Sequence, residues 1–294
     1  GYCAGKPLSF LDHHIRCGNS VVGVANLDVL FDGVPKEAFY SEDKEVLKKI
    51  KKLNDDSLSD ISILRYGSGA GLQASLFDNG TVMEAIEEEE VGLATKIREI
   101  NALPEDTLKD ELFKKFKWNE LMESPRVECL RRACDIYTYS FYKQFTTEDI
   151  SDEYGCLQIP YTRSVYRALE EIKHIEDKDS SFIALTAKFK QEVDNISIEH
   201  KFFHWCIEFP EVFTDGGGFD VMCGNPPWDK LQMEEEKWFA GKDSKIVNAS
   251  NQSNRKRLIN DLKETNPSLY NEYLVACAVV ASQSSFVKNS NRFP

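Results

Sequence analysis

The run from Gly217 to Trp228, Gly-Gly-Phe-Asp-Val-Met-Cys-Gly-Asn-Pro-Pro-Trp, constrains this chain more than any other stretch. Phe219 to Cys223 reads as a buried strand, and it stops abruptly at Asn225-Pro226-Pro227-Trp228. Proline has no N–H and pushes the residue before it out of the helical region. Pro227 therefore holds Pro226 extended and keeps its carbonyl out of any helix. Gly216-Gly217-Gly218 gives the strand a flexible entry.

These residue types suit a flat, amine-bearing ring. An exocyclic amine on a heteroaromatic ring is a poor nucleophile, because its lone pair is delocalised. Two acceptors placed on its N–H groups orient the nitrogen and favour a more pyramidal, more reactive form. Asn225 offers a side-chain carbonyl oxygen, and Pro226 offers its main-chain carbonyl. Trp228 offers a face on which a base stacks, a contact worth about 1–3 kcal/mol in nucleic-acid complexes. Methyl transfer to such an amine needs no strong base beforehand, since the proton leaves after the methyl arrives. The competing reading is a merely rigid turn; the strand-then-site context favours the functional one.

On these residues the run resembles motif IV of the amino-methyltransferases that use S-adenosylmethionine. Phe202-Phe203-His204-Trp205 followed by Phe209-Pro210-Glu211-Val212-Phe213 is similar to a lead-in of large adenine-specific DNA methyltransferases. Those enzymes belong to restriction-modification (type IIG-like) and related phage-defence systems. Lys6 to Ser20 resembles their motif III region. The resemblance implies methyl transfer from S-adenosylmethionine to the N6 amine of an adenine flipped out of double-stranded DNA, since a stacked amine cannot reach a pocket. Asn225 and Pro226 would orient the amine, Pro227 would hold the loop and Trp228 would stack on the base. Asn19 would approach the cofactor, although an acidic residue is common there in relatives. Asp220 and Gly224 would shape the loop.

The implied fold is α/β: part of a Rossmann-like methyltransferase sheet carrying a large, mostly helical insertion. Residues 1–24 would be a core segment with a short strand and turn, 25–200 the insertion, and 201–294 a second core segment with the tetrapeptide. The glycine loop and acidic ribose ligand would lie upstream of motif III, so most of the S-adenosylmethionine site is expected outside this chain. The nearest glycine cluster, Gly67-Ser68-Gly69-Ala70-Gly71, lacks the strand–loop–helix frame. The chain therefore reads as a fragment, inactive alone, with the rest of its parent polypeptide as partner.

Periodicity places the helices. Val46, Leu47, Ile50 and Leu53 share one face, and Val82, Ile86, Leu93, Ile97 and Ile100 form a heptad-like stripe opposite Glu87-Glu88-Glu89-Glu90. Pro104-Glu105-Asp106 opens a helix with Leu108, Leu112 and Phe116 in register. Val127, Leu130, Cys134, Tyr137 and Phe141 continue the pattern, and the aromatic group from Tyr137 to Phe145 suits core packing. Pro267 opens a last helix, to about Lys288.

A formal net charge of −13 argues against this chain being the main DNA clamp. Arg255-Lys256-Arg257 is the one compact basic patch near the motif; it either touches a phosphate backbone or opens a helix. The eight cysteines show no Cys-x-x-Cys pair and read as reduced thiols of a cytoplasmic, bacterial or archaeal protein. Cys3, His13, His14 and Cys17 match no zinc spacing, so no metal is expected. The longest apolar run, Leu274 to Ala281, is far short of the ~20 residues that cross a bilayer. Two other functions stay open: an RNA or protein-amide methyltransferase, and a non-catalytic helical interaction module of a defence complex.

Overall fold

The computed structural model describes residue 11 and residues 14–66, 79–150, 158–175, 184–214, 217–224 and 232–290. The chain divides into two compact units, residues 1–223 and 224–293.

In the first unit, α5 (Pro125–Tyr139) is the central rod. Pro125 sits in its first turn, where a missing N–H costs nothing. Residues on every side of it are buried, among them Leu130, Cys134, Ile136 and Tyr137, which marks a helix surrounded by others. It packs on α6 (Thr162–Glu170) and α7 (Ala187–His200). The short helices α1 (Asp28–Phe31) and α8 (Trp205–Glu208) also meet it. Around it lie α2 (Lys44–Tyr66), α3 (Asn79–Asn101), α4 (Leu108–Met122) and α9 (Pro210–Phe213), with α3 against α4 and α9.

Local chemistry explains the helix ends. Thr107 and Asp110 form a capping box at the start of α4: Thr107 Oγ1 accepts from Asp110 N–H at 3.2 Å, and Asp110 Oδ2 accepts from Thr107 N–H at 2.9 Å. A buried amide hub ties α2 to α6. Asn54 Nδ2 donates to the Val34 carbonyl at 2.8 Å, while Asn54 Oδ1 accepts from Thr162 N–H at 3.1 Å and Thr162 Oγ1 at 2.7 Å. Asn54 is fully buried, so these bonds offset a desolvation cost that would otherwise stand.

In the second unit, α10 (Glu235–Phe239), α11 (Ser244–Val247), α12 (Gln252–Thr265) and α13 (Pro267–Asn289) enclose a small core of Phe239, Ile246, Ile259, Leu262 and Leu269. Asp243, Asn251 and Asn266 cap the last three of these helices through side-chain oxygens.

The expected Rossmann-like sheet is overturned: the fold is helical, and no strand occurs among the described residues. Two isolated parallel bridges, Asn19 with Phe202 and Tyr40 with Gln144, are the β pairing found there. The reading of Phe219 to Cys223 as a buried strand fails for a physical reason. A strand needs a neighbour to satisfy its ladder. This run joins no ladder and faces water, with Val221 74% and Met222 71% exposed. Its apolar sequence carried no information about a partner. The short strand expected at residues 14–23 is likewise reduced to the single bridge at Asn19.

Candidate functional site

The structure draws together parts of all three diagnostic segments within the first unit. The junction begins at the end of α7. Lys201 adopts a left-handed φ of 54°, which terminates the helix and turns the chain. The Lys201 carbonyl then accepts from Asn19 N–H at 2.7 Å, and Phe203 N–H donates to the Val22 carbonyl at 2.8 Å. Residues 19–24 thus lie along 201–204. Gly23 makes this approach possible: its φ is 138°, and a Cβ there would sit 2.2 Å from the Phe203 carbonyl oxygen.

A buried polar network locks the pairing. His204 Nδ1 accepts from Val24 N–H at 3.0 Å, so the ring proton sits on Nε2, which donates to Asp135 Oδ1 at 2.9 Å. The same oxygen accepts from Ser197 Oγ at 2.6 Å. Serine, histidine and carboxylate together suggest a hydrolytic triad, but the geometry excludes that role. Ser197 bonds the carboxylate rather than the imidazole, and both ring nitrogens are committed. The network instead holds α5, α7 and residues 22–24 in register. A second tie runs through Glu208, which pairs with Arg16 at 3.2 Å and Arg131 at 3.7 Å.

Beside it lies an aromatic box. Trp205, Phe209 and Phe213 surround Phe219, with ring centroids 5.9, 5.6 and 5.6 Å from it. The Trp205 indole N–H also donates to the Ser20 carbonyl at 3.1 Å, so one side chain touches both the 19–24 segment and the run leading to the tetrapeptide.

Of the residues expected from sequence, Asn19 lies in this junction. Its Oδ1 accepts from Val21 N–H at 3.2 Å, so its side chain is partly spent on a local turn. Arg255 is the fourth residue of α12, donating to the Ile246 carbonyl at 3.2 Å and pairing with Glu236 at 2.6 Å; its side chain is only 11% exposed. Arg257 donates to Asn254 at 3.0 Å, and both Lys256 and Arg257 are exposed. Asn225, Pro226, Pro227 and Trp228 lie outside the described residues, as does the Gly67–Gly71 cluster. Among the described residues no strand–glycine-loop–helix unit occurs. No helix among them is long and apolar enough to cross a membrane.

Sequence reasoning did not single out Asp135 or Ser197. A signal existed for Asp135: a carboxylate inside the apolar, aromatic stretch from Ala133 to Tyr139 needs a buried partner.

A model of the Eco57I restriction-modification methylase family matches residues 126–262. No curated protein and no solved structure matches the chain. The matched span, under half of the 294 residues, runs from α5 into α12 and takes in the His204–Asp135 network, the aromatic box and the tetrapeptide. Over those residues the chain is similar to restriction-modification methylases, and this supports a methyltransferase family for it.

Proposed function

We propose that this chain supplies the acceptor side of a DNA methyltransferase, one that moves a methyl group from S-adenosylmethionine to N6 of a flipped adenine. The observation that carries the reading is the span of the family match, which includes Asn225-Pro226-Pro227-Trp228. Asn225 Oδ1 and the Pro226 carbonyl accept the two amine protons, Pro227 keeps that carbonyl extended, and Trp228 stacks on the base. S-adenosylmethionine supplies an electrophilic methyl carbon. Asn19 lies on the cofactor side, in a segment joined through Trp205 to the run before Asn225. Lys256 and Arg257 offer charge to a phosphate backbone, whereas Arg255 is held by Glu236.

The test is transfer from labelled S-adenosylmethionine to duplex DNA by the full-length protein. Labelled N6-methyladenine is expected, and Asn225→Ala should lower kcat by about 100-fold or more, comparable to removing one preorganised hydrogen-bonding group from an active site. Label on RNA or protein would keep the chemistry and change the substrate. If neither cofactor binding nor transfer is found, a helical interaction module replaces this reading. The structural support for that second reading is α4, whose Leu108, Leu112, Phe113 and Phe116 are each more than half exposed.

A further inference from the structure

Four residues of α4 form a line with two-fold symmetry. Lys109, Phe113, Phe116 and Glu120 are spaced by 4, 3 and 4 residues, so they stack along one edge of the helix over roughly three turns. Aromatic rings stand in the middle of the line and opposite charges at its ends. All four are exposed, Phe113 by 51% and Phe116 by 60%. Leu108 and Leu112, also more than half exposed, lie along one shoulder of it. Fraying does not explain this face, because the helix is anchored. Its capping box holds the first turn, Trp118 is buried on another side, and the buried Lys114 donates to Glu105 and to the Asn101 carbonyl.

A contiguous apolar face rimmed by charge marks an interaction surface, and the order of charges along this one selects the occupant. Against a parallel copy of itself, the line would set Lys109 on Lys109 and Glu120 on Glu120. Against an antiparallel copy, it sets Lys109 on Glu120 and Phe113 on Phe116, and each contact occurs twice. Glu120 accepts from Lys117 of its own helix at 2.7 Å, and its second carboxylate oxygen can take a lysine from another copy. We propose that α4 is a homodimer interface, pairing antiparallel with α4 of a second copy of this chain about a two-fold axis between Phe113 and Phe116. The line and its leucine shoulder are small beside the ~20–30 residues a side of a standard interface, so the dimer is a weak one, in the micromolar range. The helix precedes the residues that the family model matches, and the inference does not rest on methyl transfer.

The experiment is sedimentation of the full-length protein from about 1 to about 300 μM, alongside Phe116→Glu, Lys109→Glu, Glu120→Lys and the double charge swap. The wild-type mass should climb from monomer towards dimer over that range. Phe116→Glu should stay monomeric and keep the dilute wild-type melting temperature, because the ring faces water. Each single charge reversal sets like charges together twice per dimer and should weaken association by about tenfold. The double swap again opposes unlike charges, and it should recover the wild-type Kd to within about threefold. A monomer at every concentration would overturn the inference. So would a dimer that survives Phe116→Glu, since its interface lies elsewhere. A double swap no better than either single reversal would overturn it too, and this cycle decides the matter even if Phe116→Glu folds poorly.

Discussion

His204 owes its protonation pattern to a backbone amide. The Val24 N–H can only donate, which forces Nδ1 to accept and sends the ring proton to Asp135. Removing the carboxylate would leave two buried donors, from Ser197 and His204, without their acceptor. The tightest constraint nearby is steric. A methyl group at Gly23 would collide with the Phe203 carbonyl carbon at 2.6 Å and its oxygen at 2.2 Å, at a φ that L-residues avoid. Gly23→Ala should therefore cost about 2–3 kcal/mol, read as a lower urea midpoint at unchanged slope. The buried thiols follow a related logic. Burial pushes Cys129 up to about 11, and burial followed by the neighbouring Cys206 raises Cys134, so both stay protonated and inert.

At the scale of elements, α7 carries a pH response. Its last residue, His200, stacks on Tyr142 at 4.7 Å, and burial lowers its pKa below the usual 6.5 despite the opposing charge of Glu199. The unfolded chain then binds the proton more readily than the folded one. Stability from this site is present above 6.5 and is lost as pH falls through the lowered value. Melting temperature should therefore hold above about pH 6.5 and fall as the pH goes below it, and His200→Gln should flatten part of that fall. Helices were largely legible in the sequence because their apolar spacing is local. Ile86, Leu93, Ile97 and Ile100 are buried on α3 as their stripe required. The stripe on α4 misleads: Leu108, Leu112 and Phe116 face water, while Trp118 and Lys114 turn inward, Lys114 satisfied by Glu105 and the Asn101 carbonyl. Periodicity finds a helix but does not say which face has neighbours. The strand at Phe219 failed for the same reason, since pairing depends on distant residues. The junction of 19–24 with 201–204 was legible only as two separate resemblances; nothing local to either segment states that they touch.

For the whole molecule, the two units have separate cores. Phe239 is fully buried in the second, against Trp238 at 4.7 Å and Tyr273 at 5.1 Å. Phe239→Ala should cost about 3–5 kcal/mol there, enough to unfold a core this small. Amide exchange is the measurement: protection should vanish over residues 252–289 and persist over 127–139.

The bond between Val24 and His204 spans 180 residues of chain. A ribosome adding about 5–20 residues per second needs roughly 10–35 s to make that stretch. Throughout that interval the 19–24 segment has been made and its partner does not yet exist, so its apolar pair Val22 and Val24 must wait in a nascent chain. This long-range pairing is therefore timed by translation rather than by the search for contacts. Slowing synthesis between codons 24 and 204 would lengthen the period in which a chaperone or another nascent chain can occupy that edge.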